Sequence, residues 1–281
     1  MKTTSLPPFP EAIENWWWKQ ATSKWADSSE EKLLNSIRRE IVEQSDRFNK
    51  TRTFESGSYG SRDLSILSYG NFFFPRTWQA MAFALAEAYS FRGWKIPTKG
   101  PLRILDLGSG SGASGLACLF LLRKWMIENP ISLEAWDYSS KSLGTLKTLH
   151  RSCPHLWPNS KVMTKRKDLR YAFGKEDSLT FDLVLMSFSM NEILEKEENE
   201  HRLGWLSQVT QYLKPNGFLI ILEPAEFETC NNLQQNSLIL TERSSQLNQH
   251  APYFNNLPCP LIDKKTKYYS HEVRRGFPTQ T

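Results

Sequence analysis

The stretch Arg103-Ile104-Leu105-Asp106-Leu107-Gly108-Ser109-Gly110-Ser111-Gly112-Ala113 decides the fold of this 281-residue chain. Its short apolar run, Ile104 to Leu107, has the length of a strand that is buried in a parallel sheet. Three glycines at alternate positions follow, and a helical run from Ser114 to Met126 comes next. Strand, glycine turn and helix form the first unit of a nucleotide-binding α/β sheet. We therefore predict an α/β fold with a mainly parallel, Rossmann-like sheet.

The glycine turn predicts a ligand site at the end of this strand. Glycines let the backbone turn tightly, and they let a ligand approach without a Cβ in the way. The acidic side chain of Asp106 suits a ligand that carries a cationic amino group or ribose hydroxyls. The spacing Gly108-x-Gly110-x-x-Ala113 also satisfies the looser dinucleotide fingerprint. Glycine spacing alone therefore does not choose the ligand, and a tight turn without any ligand stays open.

The whole phrase LDLGSGSG, residues 105–112, is more selective than its glycines. It resembles the first motif of class I methyltransferases, and this resemblance implies S-adenosylmethionine as the cofactor. A dinucleotide site would place a pyrophosphate at the helix N-terminus, where the Asp106 carboxylate would be a poor neighbour. We therefore predict four cofactor-binding residues in this stretch: Asp106, Gly108, Gly110 and Gly112.

The following sequence alternates strands and helices, as parallel sheets do. We predict the later strands over residues 131–136, 161–164, 181–187 and 218–222. Asp137 directly follows the second strand, where an acid would reach ribose hydroxyls. Asp168 follows the third, where methyltransferases commonly place a residue that bonds the adenine amine. Both are predicted as cofactor-binding residues, with helix capping or a loop position as the alternative for Asp137.

No signature of catalysis follows the fourth predicted strand. The segment from Phe188 to Ile193 contains neither Asn-Pro-Pro-Tyr nor a Pro-Cys pair, so the catalytic residues are unknown. Asn191 and Glu192 are hypothesised as acceptor-side groups, with capping of the next helix as the alternative. Holding an acceptor in line with an activated methyl group can supply roughly 7–11 kcal/mol, so a missing base does not exclude catalysis.

The chain is predicted to divide into residues 1–74, a helical N-terminal extension with a linker, and residues 75–281, a methyltransferase-like α/β domain. Residues 11–50 have the pattern of two helices, and residues 51–74 lack periodicity. Pro75 suits the first turn of a helix, and the resemblance to class I methyltransferases implies that this helix covers the cofactor. The run Trp16-Trp17-Trp18 favours packing onto the main domain over stacking on bases. A last pair of strands is predicted around residues 251–254 and 267–273.

Composition narrows the function classes. No run approaches the length of a membrane span, and the first ten residues lack the apolar core of a secretion signal. Four scattered cysteines make no disulfide framework, which fits a reducing compartment, and we expect a cytoplasmic protein without membrane contact. The formal net charge of +5 is compatible with RNA as a partner.

Four phrases in order resemble a particular family, the methyltransferase-like assembly factors of the mitochondrial and bacterial small ribosomal subunit. The similar segment spans roughly residues 69–275. Its phrases are Pro75-Arg76-Thr77-Trp78-Gln79-Ala80, the cofactor loop from Ile104 to Gly112, Ser189-Met190-Asn191-Glu192-Ile193 and Leu222-Glu223-Pro224-Ala225. The resemblance implies a protein that acts on or near small-subunit ribosomal RNA.

The tail departs from that family at its cysteines. Tyr253 and Ser270 stand where the family has two of its cysteines, while Cys259 matches another. Because an iron–sulfur cluster normally requires four thiolates, we expect no cluster and no metal. A makeshift zinc site from Cys230, His250, Cys259 and His271 is the alternative, although its spacing fits no standard pattern.

Basic residues occur in two groups that would bind phosphates if they shared one face with the cofactor site. The groups are Lys161, Lys165, Arg166, Lys167 and Arg170, and, in the tail, Lys264, Lys265, Lys267, Arg274 and Arg275. Together with the cofactor loop, the family resemblance implies an S-adenosylmethionine-dependent methyltransferase of ribosome biogenesis. Two alternatives stay open: a non-catalytic, RNA-binding assembly factor that keeps the cofactor pocket, and a small-molecule methyltransferase whose acceptor lies under Phe72, Phe73, Phe74 and Trp78.

Overall fold

The computed structural model describes residues 6–48, 60, 62–171, 180–194, 197–253, 255–262 and 268–271. Over these residues helices and strands follow one another in an order typical of an α/β protein. The elements are α1 (Glu11–Lys24), α2 (Glu30–Asp46), α3 (Asp63–Ser90), β1 (Leu102–Leu107), α4 (Ala113–Lys124), β2 (Ile131–Asp137), α5 (Ser140–Ser152), β3 (Ser160–Arg166), β4 (Phe181–Ser187), α6 (Met190–Ile193), α7 (Asn199–Thr210), β5 (Leu213–Leu222) and α8 (Phe227–Arg243).

The five strands form one parallel sheet in the order β3-β2-β1-β4-β5. β1 lies at the centre, where Leu105 pairs with Glu134 on one side and Val184 on the other. Because all strands run the same way, their carboxyl ends meet at one edge, and ligands of such sheets bind at that edge where the strand order reverses. The predicted fold class is confirmed: a mainly parallel, Rossmann-like α/β sheet with a helical N-terminal extension.

The helix that precedes β1 is longer than the sequence indicated. The prediction that it begins at Pro75 is wrong, since α3 begins at Asp63 and contains Pro75 in its interior. Residues 63–74 lack a helical apolar period because Ser65, Ser68 and Gly70 are buried together with their apolar neighbours. Polar residues on a buried face hide the pattern on which the prediction relied. The division of the chain between residues 74 and 75 stays a prediction.

The N-terminal helices pack against α3. Trp17 is buried against Phe74, with ring centroids 5.4 Å apart, so the packing interpretation of the tryptophan run is confirmed for this residue. Gly70 makes this possible because a Cβ at that position would overlap the Trp17 ring. The buried Glu40 carboxylate of α2 accepts hydrogen bonds from Ser65 and Arg62, which fastens α2 to the start of α3.

The end of the chain differs from its prediction. Residues 251–253 and 268–271 are not strands, so the predicted last pair of strands is wrong over these positions. Phe254, Lys267 and residues 272–273 lie outside the described residues. Instead, α8 follows β5, and β5 itself begins at Leu213, five residues earlier than predicted.

Candidate functional site at the carboxyl edge of the sheet

The glycine loop joins β1 to α4 and turns in the left-handed region. Gly108, Gly110 and Gly112 have φ of 68°, 51° and 90°. A Cβ on Gly108 would lie 2.5 Å from the Cβ of Ser189, and one on Gly112 would overlap Leu146. Backbone N–H groups of Gly108 and Ser109 donate to the Trp136 carbonyl at 2.9 and 3.1 Å, which ties the loop to β2. Glycine is therefore required at both ends of this loop.

Asp106 lies beneath the loop and holds the start of α4. Its side chain is 1% exposed, and its Oδ2 accepts the backbone N–H of Gly115 at 2.9 Å. The pKa of Asp106 is raised to about 7, mainly by burial and to a smaller extent by the nearby Asp137, while the hydrogen bond from the Gly115 N–H acts in the opposite direction. The predicted role of Asp106 in binding a cofactor stays a prediction, while the structure shows its contact with the helix.

Asp137 meets the same loop from the end of β2. Its Oδ2 accepts from the Gly110 N–H and its Oδ1 from the Ser139 N–H, both at 2.8 Å. Burial raises its pKa, although these two hydrogen bonds act in the opposite direction. The structure thus brings the predicted residues Asp106, Asp137 and the three glycines together at one point of the sheet edge.

The N-terminal extension reaches this point. Ser139, the N-cap of α5, donates its hydroxyl proton to the Gly60 carbonyl at 2.6 Å. Nearby, Asp63 at the start of α3 forms ion pairs with Lys24 of α1 and Lys141 of α5, at 2.8 and 2.5 Å. Residues before the sheet therefore contribute to the surroundings of Asp137, which sequence spacing could not show.

Asp168 lies at the same edge of the sheet, but its carboxylate contacts Arg170 rather than the glycine loop. The segment is placed by a backbone hydrogen bond of 2.9 Å from the Lys167 N–H to the Asp137 carbonyl. The Asp168 carboxylate pairs with Arg170, with Nε–Oδ1 at 2.9 Å, and this contact lowers the pKa of Asp168. Its predicted contact with an adenine amine stays a prediction.

Two hydroxyls of the glycine loop have unused hydrogen-bonding capacity. The Oγ atoms of Ser109 and Ser111 are buried, and neither has a partner among the described residues. Buried polar groups are normally satisfied, so such a pair inside a glycine turn is suited to polar atoms of a bound ligand. The loop residues thus fit a cofactor that carries ribose hydroxyls and an amino acid head group.

A second carboxyl group lies across β4 from the loop, at the end of β5. The two oxygens of Glu223 accept the backbone N–H groups of Met190 and Asn191, at 3.1 and 3.2 Å. Burial raises the pKa of Glu223 to about 8, against the effect of these hydrogen bonds. Asn191 and Glu192 lie in the short helix α6 that Glu223 binds. Sequence reasoning noted Glu223 only within a family phrase, because its setting depends on how β4 and β5 pair.

A cleft of about 2070 Å³ extends from this second carboxyl along β5, between α3 and α8. Its walls include Arg76 and Gln79 from α3, Phe188 after β4, and Glu223. None of residues 108–112 of the glycine loop lines this cleft. Only the end of the cleft at Phe188 and Glu223 lies at the carboxyl ends of β4 and β5, where an acceptor would approach a ligand that is bound over β1 and β2.

The aromatic roof expected for a small hydrophobic acceptor is not present at two of its positions. Phe74 is 0% and Trp78 is 2% exposed, and both pack against Phe9 in the core. The ring of Phe72 lies under the Arg76 guanidinium, 3.5 Å from ring centroid to Cζ. Phe74 and Trp78 thus stabilise α3 against its neighbours, and the small-molecule alternative stays open at Phe72 and Phe73.

The first group of basic residues lies on and after the edge strand β3. The ammonium groups of Lys165 and Lys167 lie over the Trp136 ring, 4.9 and 4.2 Å from its centroid, and Arg166 donates to the Tyr138 carbonyl. The second group, Lys264, Lys265, Lys267, Arg274 and Arg275, lies outside the described residues. A shared basic face stays a prediction.

Tyr253, which stands in place of a family cysteine, contacts both Cys259 and Ser270 in the tail. The Tyr253 hydroxyl lies 3.2 Å from the Cys259 sulfur, and this contact raises the pKa of Tyr253, while a hydrogen bond with Ser270 lowers it. His250 instead packs on Phe218, and His271 contacts the Tyr269 carbonyl. Within the described ranges no group of three His, Cys, Asp or Glu side chains could hold a metal ion.

No protein-family model matches the chain. No curated protein matches it either. Among solved structures, the CurJ carbon methyltransferase is 14% identical over 88% of this chain and 62% of that chain, with a TM-score of 0.46. An O-methyltransferase family protein from Burkholderia thailandensis is 16% identical over 66% of this chain and 52% of that chain, with a TM-score of 0.45.

A third similar structure is phosphoethanolamine N-methyltransferase 1 from Haemonchus contortus, in complex with phosphoethanolamine and S-adenosylhomocysteine. It is 12% identical over 54% of this chain and 32% of that chain, with a TM-score of 0.32. The chain thus spans less than two thirds of the length of these three proteins, which are all methyltransferases by name. At these TM-scores they add no argument to the strand order and loop geometry given above.

No helix among the residues that the structure describes is long and apolar enough to cross a membrane.

Proposed function

We propose that the chain is an S-adenosylmethionine-dependent methyltransferase that acts on or near small-subunit ribosomal RNA in the cytoplasm. The observation that carries the proposal is the convergence of Asp137 with the left-handed glycine loop at the reversal of strand order. Parallel α/β sheets bind nucleotide-like ligands at this place. Similarity of fold to methyltransferases is compatible with the proposal but does not carry it.

The chain's own residues suggest how the cofactor would be held. Gly108 to Gly112 would lie against it through backbone atoms, with Ser109 and Ser111 offering their unpaired hydroxyls. Asp137 would accept from the ribose hydroxyls with the lone pairs that its two backbone contacts leave free. The bound cofactor would supply an already activated methyl group.

Catalysis would then rest on positioning. The acceptor would lie over the end of β4, between the glycine loop and Glu223, in the mouth of the cleft. Alignment and exclusion of water there can replace a strong general base. Ribosomal RNA as the acceptor is supported by the four family phrases, by the formal net charge of +5 and by the basic residues along β3.

A non-catalytic assembly factor is the second candidate, and one observation favours it. Both oxygens of Asp137 already bind the protein's own backbone, and Asp168 is paired with Arg170. These acids could therefore stabilise an inherited loop without turnover. Transfer of a labelled methyl group to small-subunit RNA would exclude this candidate, whereas RNA binding without transfer would favour it.

The first test is calorimetric titration of S-adenosylmethionine and S-adenosylhomocysteine into the wild type and Asp137→Ala. We expect binding to the wild type and a loss of about tenfold or more in the variant, since a hydrogen bond to a charged group contributes roughly 1.5–3 kcal/mol. Thermal unfolding of both proteins controls for the lost contacts with Gly110 and Ser139. A folded wild type that binds neither compound would refute the proposal.

A further inference from the structure

The edge strand β3 and the residues that follow it are strongly cationic. Residues 160–171 contain five cationic side chains but one carboxylate, that of Asp168, whereas the whole chain has a net charge of only +5. Lys161 and Lys165 are exposed and lie on the same face of β3, because alternate side chains of a strand point the same way. Such a concentration of cations on one element is typical of a surface that binds phosphates.

Two exposed tyrosine rings lie at the carboxyl end of this strand. Tyr138 is 41% exposed and Tyr171 is 70% exposed. The Arg166 Nε donates to the Tyr138 carbonyl at 3.1 Å, and the Arg170 Cζ lies 6.0 Å from the centroid of the Tyr171 ring. The Asp168 carboxylate is the main group that raises the pKa of Arg170, and the hydroxyls of both tyrosines act in the same direction. The two rings and these cations are therefore neighbours on one surface.

Protection of the sheet edge explains only part of this arrangement. Charged side chains, and lysines above all, discourage an edge strand from pairing with another chain. This role accounts for cations on β3, but it does not require exposed aromatic rings beside them. Cations that follow a phosphate backbone and aromatic rings that stack on bases are together the two components of sites for single-stranded nucleic acids.

We propose that single-stranded RNA binds along a surface that we call the β3 strip, formed by Tyr138, Lys161, Lys165, Arg166, Arg170 and Tyr171. This inference rests on the proposed methyltransferase function and names the surface that would hold its RNA. The cations contact phosphates, and Tyr171, the more exposed ring, stacks on an unpaired base. A duplex does not offer such a base, because its bases are already stacked on one another.

The β3 strip adjoins the predicted cofactor site. The Lys167 N–H donates to the Asp137 carbonyl at 2.9 Å, and Tyr138 directly follows Asp137 in the chain. With seven residues β3 is about 23 Å long, a length that several nucleotides can follow. RNA bound along the strip therefore reaches the same edge of the sheet as the glycine loop.

The first test measures the fluorescence anisotropy of labelled rU12 with the full chain over a range of salt concentrations. Four phosphate contacts predict that log K falls with log salt with a slope of about −3. The double variant Lys161→Gln with Lys165→Gln should make this slope shallower by about 1.4. Arg38→Gln with Arg39→Gln is the matched control, because it removes two exposed cations from α2 and should leave the slope unchanged.

The second test concerns stacking. Tyr171→Ala should weaken rU12 by about fivefold or more and leave the salt slope unchanged, because it removes a stacking surface but no charge. Phe91→Ala is the control, since it removes a ring that is 51% exposed at the end of α3, and should not change the affinity. Circular dichroism shows whether each variant is folded. Lys161→Gln alone, with half the expected change in slope, keeps the charge test available if the double variant does not fold.

Three results would overturn the inference. The first is a salt slope of the β3 variants that equals that of the α2 control. The second is equal affinity of Tyr171→Ala and Phe91→Ala for rU12. The third is a wild type that binds S-adenosylhomocysteine in calorimetry but not rU12, which would leave the proposed cofactor function standing. A wild type that binds rU12 as described but neither cofactor compound would refute the methyltransferase proposal and support the β3 strip.

Discussion

Two regions of the sheet edge use the same local chemistry in different ways. We call the ends of β1 and β2, with residues 106–112 and Asp137, the cofactor edge, and the ends of β4 and β5, with residues 187–192 and Glu223, the acceptor edge. In both, a carboxyl group at a strand end accepts two backbone N–H groups: Gly110 and Ser139 for Asp137, Met190 and Asn191 for Glu223. Only the cofactor edge also requires glycines.

This difference determines how much room each edge has for additional side-chain atoms and for bound ligands. The cofactor edge packs its loop so tightly that Leu146 and Ser189 leave no room for a Cβ. The acceptor edge holds a strained Phe188 and borders an open cleft. A loop fixed by close packing keeps a bound ligand in place, whereas an edge that borders a cleft can admit ligands of different shape.

The largest effect is expected at the glycine loop. Gly112→Val should destabilise the protein by roughly 3 kcal/mol or more, because valine would combine a left-handed φ with an overlap on Leu146. Gly144→Val is the matched control, since Gly144 lies in α5 with nothing within 4 Å of its added Cβ. Urea unfolding measures both. Equal stability of the two variants would contradict the close packing of the cofactor edge.

The second prediction concerns the buried acid of the cofactor edge. Burial raises the pKa of Asp106 from 3.8 to about 7, so between these values the folded state keeps a proton that the unfolded chain releases. Stability should therefore fall as pH rises from about 4 to 7, by an amount on the order of a few kcal/mol. Asp106→Asn keeps an oxygen for the Gly115 N–H and removes this titration.

Urea unfolding of the wild type and Asp106→Asn at pH 4.5 and pH 7.5 measures this pH dependence of stability. Asp106→Asn should be more stable than the wild type at pH 7.5 and about equal to it near pH 4.5. Glu223→Gln is the comparison at the acceptor edge, where the corresponding window extends to about pH 8. A wild type and Asp106→Asn that respond equally to pH would show that Asp106 titrates normally.

The third prediction compares how an unpaired serine hydroxyl at each edge affects the affinity for S-adenosylhomocysteine. Ser111→Ala should leave the free energy of unfolding within about 0.5 kcal/mol and weaken S-adenosylhomocysteine about fivefold, because one hydrogen bond contributes about 1 kcal/mol. Ser187→Ala removes a similar buried hydroxyl at the acceptor edge and should leave that affinity unchanged. Calorimetric titration of S-adenosylhomocysteine into both variants measures the two affinities. Equal affinities of Ser111→Ala and Ser187→Ala would show that the Ser111 hydroxyl does not bind the cofactor.

The smallest effect is expected for the exposed pair beside the cofactor edge. Arg170→Ala should cost less than about 1 kcal/mol of stability, since solvent screens the Arg170–Asp168 contact. It should also leave Asp168 available to an adenine amine, so cofactor affinity should be unchanged or slightly higher. Asp168→Asn should lower the cofactor affinity, which calorimetric titration measures for both variants. A higher affinity in Asp168→Asn would contradict the predicted adenine contact.

The sequence indicated the cofactor edge because its geometry demands particular residues. A left-handed turn against packed side chains requires glycine, so Gly108 and Gly112 are visible in a single sequence. The acceptor edge depends instead on the register between Ser187 and Leu222, which no local pattern encodes. The contacts of Glu223 with Met190 and Asn191 could therefore not be predicted, although the Glu-Pro pair at the end of the fifth strand was a weak signal.

The helices were predictable where one face is apolar and the other is solvated. α2 and α5 show that alternation, whereas the first turns of α3 bury Ser65 and Ser68 among apolar residues. Pro75 strengthened the error, because proline is more common at the first turn of a helix than inside one. The interior position of Pro75 follows from tertiary packing that a propensity argument does not contain.

The continuity of α3 has a mechanical consequence. A helix of 28 residues is about 42 Å long, and it joins the ion pairs of Asp63 to the cleft wall at Arg76 and Gln79. Pro75 supplies no N–H for the Asn71 carbonyl, so bending costs least at this turn. A bend at this turn would change the angle between the part of α3 that packs against α1 and α2 and the part that lines the cleft.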